Sequence, residues 1–265
     1  MTDLNAAAAL TLAIGAAREA GALLLELQRS PATGIRSKSS ATDLVSEADE
    51  RAERAIVTTI RRLRPDDALV AEEGSSAPGA SGVSWYVDPL DGTINYLYGI
   101  PHWSVSICCA DSNGPLAAVV FDPVRDELFD ATRGGGAQLG GLRLAVSDKR
   151  DLASALVATG FGYDAAQRAT QGRILANVIA EVRDIRRFGS AALDLSWLAA
   201  RRWDGYFESV DKPWDWMAGA MIVREAGGRV TELTPGNPAF PRIVASGAGI
   251  HDDLVALLDR ATRGL

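Results

Sequence analysis

Histidine and cysteine are almost missing from this chain of 265 residues, which carries two of each. The cysteines, Cys108 and Cys109, are neighbours. A disulfide between adjacent residues is badly strained, so they are expected as reduced thiols, which points to a cytoplasmic setting. His102 and His251 are too few for a multi-histidine zinc centre, and each reads as a structural residue. No G-x-S-x-G elbow, Walker A loop or G-x-G-x-x-G fingerprint occurs. An excess of basic residues is also lacking: 27 Lys and Arg stand against 34 Asp and Glu, a net charge of −7. Such a surface repels nucleic-acid backbone and anionic membranes, so direct nucleic-acid binding and membrane association are disfavoured. The apolar run 6–17 is interrupted by Thr11 and Gly15 and is too short to span a bilayer. No basic residue precedes it, since the first is Arg18, so it does not read as a signal peptide. It is expected as an Ala-rich helix packed against the body of the protein.

What is present is a globular composition, 47% hydrophobic and 23% charged, which excludes a disordered or collagen-like chain. Two helices are expected first, over about 3–30 and 46–64, each ending before a proline, Pro31 and Pro65. Ile56, Ile60 and Leu63 mark the apolar face of the second, with Arg and Glu opposite. A Gly/Ser/Pro/Ala loop at 74–82 leads to Trp85-Tyr86-Val87, which enters a sharp Asp-Pro-Leu-Asp-Gly-Thr turn. From 103 to 146 the pattern is strand-like, with Trp103, Val105 and Ile107 alternating with Ser104, Ser106 and Cys108. Beyond about 152, strands at 155–159, 184–188, 205–208, 229–231 and 243–245 alternate with helices that include 189–200, 214–226 and 250–262. The reading is an α/β chain of one compact body, an antiparallel-rich half to about 150 and an α/β half from about 151 to 265.

With histidine and cysteine set aside, the chemistry falls to carboxylates. Glu72-Glu73 ends a short apolar strand; Asp88 and Asp91 bracket Pro89-Leu90; Asp215 sits inside a helix start; Asp43 and Asp49 flank Leu44-Val45-Ser46. Unpaired buried charge costs several kcal/mol, so acids placed among bulky apolar residues imply cations, and all-oxygen ligands imply Mg²⁺ or Mn²⁺. In the segment 88–93 two carboxylates can converge around the Leu90 carbonyl, while Gly92-Thr93 opens a turn whose free N–H groups suit a phosphate. That is equipment for metal-assisted hydrolysis of a phosphate ester.

Asp88-Pro89-Leu90-Asp91-Gly92-Thr93-Ile94-Asn95-Tyr96 resembles the first motif of the inositol monophosphatase family of Mg²⁺-dependent, lithium-sensitive phosphatases. Trp214-Asp215 continuing to Gly227-Gly228 resembles the second. The segments 43–49, Glu72-Glu73-Gly74 and 187–194 match further blocks, in family order from about 38 to 247. The resemblance implies a layered α/β/α/β/α sandwich, the architecture shared with fructose-1,6-bisphosphatase, and a homodimer. It implies that Glu72, Asp88 and the Leu90 carbonyl hold one metal, and that Asp88, Asp91 and Asp215 hold a second. Glu72 would contact a weaker third ion, with Glu73 as support. Asp49 and Thr93 would position the metal-activated water that attacks phosphorus. Asp91, Gly92, Thr93, Ser190, Ala191 and Glu208 would meet the substrate, Glu208 through its hydroxyls, and Lys38 matches a loop lysine near the metals. Leu90 stands where isoleucine is usual, Ser46 where threonine is common, and Trp216, Met217 and Lys212-Pro213 depart from the pattern.

The implied activity is hydrolysis of myo-inositol 1-phosphate or a related small polyol phosphate. Histidinol phosphate, fructose 1,6-bisphosphate and 3′-phosphoadenosine 5′-phosphate are alternatives within the same superfamily. A role as a partner of the transcription machinery, independent of catalysis, is an alternative of another class.

Overall fold

The computed structural model describes residues 4–29, 34–37 and 44–265. Lys38 and Asp43 lie outside the described residues.

Helix α1 (Ala6–Gln28) starts after Asn5, whose side chain accepts from the Ala8 N–H. It has 23 residues and is, by length and composition, apolar enough to cross a membrane, whereas the apolar run 6–17 alone is too short. Ala9, Ala13, Ala16, Ala20 and Leu24 nevertheless form a fully buried face inside a core cluster. After a small antiparallel pair, β1 (Arg36–Ser37) and β2 (Leu44–Val45), helix α2 (Glu47–Leu63) is opened by a capping box. The Ser46 hydroxyl accepts from Ala48 N, and Asp49 Oδ2 accepts from Ser46 N at 2.8 Å.

Seven strands then lie side by side in chain order: β3 (Ala68–Ala71), β4 (Ser84–Asp91), β5 (Ser104–Asp111), β6 (Gly114–Asp122), β7 (Glu127–Thr132), β8 (Gly136–Leu139) and β9 (Leu142–Arg143). Only β3–β4 is parallel. β5 is buried along nearly its whole length, because both faces of the sheet are covered. Val105, Ile107 and Cys109 join the core beneath α1 and α2, while Cys108 joins the core on the opposite face.

The expected sharp turn after Val87 is not a turn. β4 runs on through Pro89 to Asp91, with its pairing to β5 irregular between Asp88 and Asp91. A proline lacks the N–H a ladder needs, and the irregularity is where a strand tolerates it. The chain turns at Gly92, φ +99°, and enters a short helix, α3 (Thr93–Leu97). A Cβ at Gly92 would stand 3.1 Å from the His102 carbonyl in a backbone conformation that side chains rarely adopt.

The second sheet is formed by β10 (Leu156–Thr159), β11 (Asp184–Arg186), β12 (Gly205–Glu208), β13 (Arg229–Glu232) and β14 (Ile243–Ser246), in the order β11-β10-β12-β14-β13. Helices α4 (Ala165–Val178), α5 (Ala191–Ala199), α6 (Pro213–Glu225) and α7 (His251–Thr262) divide between its faces. α5 and α6 fill the space between the two sheets, and α4 and α7 cover the far side. The layers therefore read α1–α2, seven-stranded sheet, α5–α6, five-stranded sheet, α4–α7, the expected α/β/α/β/α sandwich.

Candidate active site

A cleft of about 440 Å³ opens where the end of β4 meets α3, α6 and the end of β12. Glu72, Asp88, Leu90, Asp91, Gly92, Thr93, Ala191, Glu208 and Asp215 all line it. Each arrives by a local device. Asp88 Oδ1 accepts from the Leu90 N–H at 2.9 Å, which folds the carboxylate back over the Pro89 irregularity. Pro213 opens α6, where a missing N–H costs nothing, and places Asp215 in the same first turn. Glu208 ends β12, and Tyr206, two residues earlier on the same face, donates its hydroxyl to Glu208 Oε2 at 2.8 Å. Gly160 leaves the room this carboxylate needs, since a Cβ there would overlap it at 2.0 Å.

The acids repel one another. Burial, then the charges of Glu72, Asp91 and Asp215, push the Asp88 carboxyl well above its ordinary range. Asp215 is raised by burial and by Glu72, Asp91 and Glu208. Burial lifts Asp91 to about 7, although hydrogen bonds from Ser190 and the Ala192 N–H draw it back. Glu208 is raised by burial and lowered by the Tyr206 bond and the nearby Arg187. Asp88 shares a hydrogen bond with Glu72. Among the described residues no three His, Cys, Asp or Glu side chains are gathered as a ready-made cage for an ion. The donor set nevertheless fits a hard cation: the carboxylates of Glu72, Asp88, Asp91 and Asp215 and the Leu90 carbonyl share one cleft with three further acids, and the basic side chains in its lining are Arg187 and Lys212.

Three expected site residues stand behind the cleft wall. Asp49, 1% exposed, receives Ser46 N and Ser46 Oγ on Oδ2, and Thr93 Oγ1 lies 3.0 Å from its Oδ1. Thr93 Oγ1 is also 3.1 Å from the Leu90 carbonyl. Ser190, also 1% exposed, was expected to line the pocket. Its hydroxyl instead lies 2.6 Å from Asp91 Oδ2, so it supports an acid and does not meet the opening. The Glu73 N–H donates to Glu53 Oε2 at 2.6 Å. Lys38 lies outside the described residues.

Sequence reasoning missed several positions. Glu53, expected on the polar face of α2, is 1% exposed and accepts from both Glu73 N and Ser75 N, fixing the turn that presents Glu72. Asn95 Nδ2 donates to the His102 and Phe188 carbonyls, both at 2.7 Å, and so joins the two halves of the chain beside the site. Phe161, Tyr163, Arg187 and Asp211 also line the cleft. Lys212, already marked in the sequence as a departure from the pattern, lines it too, 56% exposed, with Nζ 3.8 Å from Asp211. Neither histidine lines the cleft. His251 bonds Thr231 and Ser246, and His102 is buried among aromatic rings, where burial and the charges of Arg125 and Arg202 lower it to about 4.

The model of the inositol monophosphatase family matches residues 6–262. The Nus factor SuhB of Escherichia coli (strain K12) is 42% identical over 263 residues, 95% of this chain and 98% of its own. The crystal structure of extragenic suppressor protein suhB from Bartonella henselae superposes with a TM-score of 0.88 at 38% identity, covering 97% of this chain and 100% of that one. The inositol monophosphatase from Anabaena (Nostoc) sp. PCC 7120 does so with a TM-score of 0.81 at 36% identity, covering 95% of each.

Proposed function

The chain belongs to the inositol monophosphatase family, and from that premise we propose that it is a Mg²⁺-dependent phosphomonoesterase acting on myo-inositol 1-phosphate or a similar small polyol phosphate. The observation that carries the reading is the convergence of Glu72, Asp88, the Leu90 carbonyl, Asp91 and Asp215 on one cleft, with the Asp49–Thr93 pair at its wall. Glu72, Asp88 and Leu90 would hold one Mg²⁺, and Asp88, Asp91 and Asp215 a second, Asp88 being common to both. Glu72, with Glu73 behind it, would support a weaker third. Bound there, the cations would neutralise the phosphate and acidify water in the cleft.

The chain's own groups do the rest. The leading N–H groups of α3, at Gly92 and Thr93, have no intrahelical partners and no side-chain cap, and would face the phosphate oxygens. Thr93 Oγ1 takes a proton from the attacking water and passes its own to Asp49 Oδ1. The new P–O bond forms as the ester P–O bond breaks; a second water of the cleft gives the leaving oxygen its proton, and Asp49 returns the proton it took to the hydroxide left behind, so that the alcohol and inorganic phosphate are released. Glu208, held by Tyr206, accepts from hydroxyls of the leaving alcohol, and Ala191 forms the wall beside it.

The test is phosphate release from a panel containing inositol 1-phosphate, histidinol phosphate, fructose 1,6-bisphosphate, 3′-phosphoadenosine 5′-phosphate and an aryl phosphate, with Mg²⁺ titrated from zero. Turnover that needs Mg²⁺, favours inositol 1-phosphate and is inhibited by Li⁺ supports the reading; no turnover of any ester overturns it.

A second reading has its own support in the relatives named Nus factor SuhB. It is a partnership with the transcription machinery in a bacterial cytoplasm, made by a homodimer through protein contacts. Capture of transcription components by wild type and by Asp88→Asn alike would support it as separate from catalysis.

A further inference from the structure

Asp91 reaches the cleft from the first sheet, yet it is held by the second half of the chain. Its Oδ2 lies 2.6 Å from Ser190 Oγ and 2.7 Å from the Ala192 N–H, both at the start of α5, a helix of nine residues. The Ser190 hydroxyl has one proton. The Leu193 N–H, 3.4 Å away, donates to it, and Ser104 Oγ, also 3.4 Å away, supplies a second neighbouring hydroxyl. With a donor already turned toward the Ser190 oxygen, the proton of Ser190 is committed to Asp91. Two short bonds then occupy both lone-pair directions of Oδ2. Ser190 itself has 1% exposure, so it meets nothing in the cleft.

We infer that Ser190 is a positioning residue: with the Ala192 N–H it takes up Asp91 Oδ2 and leaves Oδ1 as the single oxygen Asp91 presents to a cation. The inference rests on the metal reading proposed above. It also gives α5 a double duty, since Ala191, between the two donors, forms cleft wall. The ion shared by Asp88, Asp91 and Asp215 should therefore depend on Ser190, and the ion held by Glu72, Asp88 and Leu90 should not. Partners that orient a ligand typically account for ten- to a hundredfold in metal affinity.

The test is a Mn²⁺ titration of the full chain followed by electron paramagnetic resonance, with melting temperature recorded in parallel. Ser190→Ala and Ser190→Cys, the second keeping the side-chain volume, should weaken one of two ions about tenfold and leave the other unchanged. Ser190→Thr, which keeps the hydroxyl at a β-region backbone position, should restore wild-type affinity. Unchanged affinities in the Cys variant, or equal weakening of both ions with a lowered melting temperature, would overturn the positioning role alone. A wild type that binds no Mn²⁺ would overturn the metal reading and this inference with it.

Discussion

Thr93 Oγ1 lies 3.0 Å from Asp49 Oδ1, and this hydroxyl is how a buried carboxylate reaches the cleft. Asp49 is itself fixed by capping α2, so the same side chain that starts a helix orients the threonine. Thr93→Val removes the relay while keeping the shape. It is expected to lower kcat roughly a hundredfold or more with little change in KM, and Thr93→Ser to recover most of the loss. Steady-state kinetics decide: a rise in KM alone would assign Thr93 to binding.

Asp88 is the most crowded of the acids, raised by burial and by three neighbouring charges. Replacing it with asparagine removes a like charge from that crowd. Asp88→Asn should abolish turnover at saturating Mg²⁺ and yet raise the melting temperature of the metal-free protein. Retained activity, or a metal-free protein that melts lower, contradicts the assignment.

Glu208 faces the leaving alcohol and not the phosphate in the proposed reading. A charged hydrogen bond is worth about 1.5–3 kcal/mol, so Glu208→Gln should cost roughly tenfold or more in kcat/KM for inositol 1-phosphate. An aryl phosphate lacks the hydroxyls and should be hydrolysed almost as before. Equal losses on both substrates would move Glu208 into the metal-binding machinery.

Away from the site, Asp67 fastens the start of β3. It accepts from Arg64 Nε and Nη2, both at 2.8 Å, from Ser81 at 2.7 Å and from the Trp85 indole at 2.9 Å. Burial pushes its carboxyl up, but these bonds and the Arg64 charge outweigh burial and hold it below its ordinary value. A depressed pKa means stability present above the unfolded value of about 3.9 and lost as pH falls through the folded one. Asp67→Asn should lower the melting temperature by roughly 5 °C at pH 7 and flatten its decline below about pH 4. Thermal melts across pH check both.

The sequence was most readable where function is local. Asp88, the Leu90 carbonyl, Asp91 and Gly92 come from one short segment, and the structure keeps them in one cleft. The five layers followed from the family resemblance more than from periodicity, since strands buried on both faces, such as β5, do not alternate cleanly. Glu53 looked like a polar-face residue because its α2 neighbours are charged; only the return of the chain at Glu73 and Ser75 buries it. Ser190 carries no sequence mark separating a residue that touches substrate from one that holds Asp91, 99 positions earlier. Pro89 looked like a turn because its ring forbids regular pairing, and nothing local reveals that β4 absorbs it and continues.

Cys108 and Cys109 give the molecule two internal reporters on one strand. Both thiols are unbridged and buried, and burial raises Cys108 to about 12 and Cys109 further, which keeps them unreactive while the fold is closed. Cys109 belongs to the core under α1 and α2, Cys108 to the core shared with α5 and α6. A thiol reagent can therefore label one only when the outer helices lift away, and the other only when the two sheets part. With single Cys-to-Ser variants, trapping rates would time the loosening of each interlayer separately, from adjacent positions in the chain.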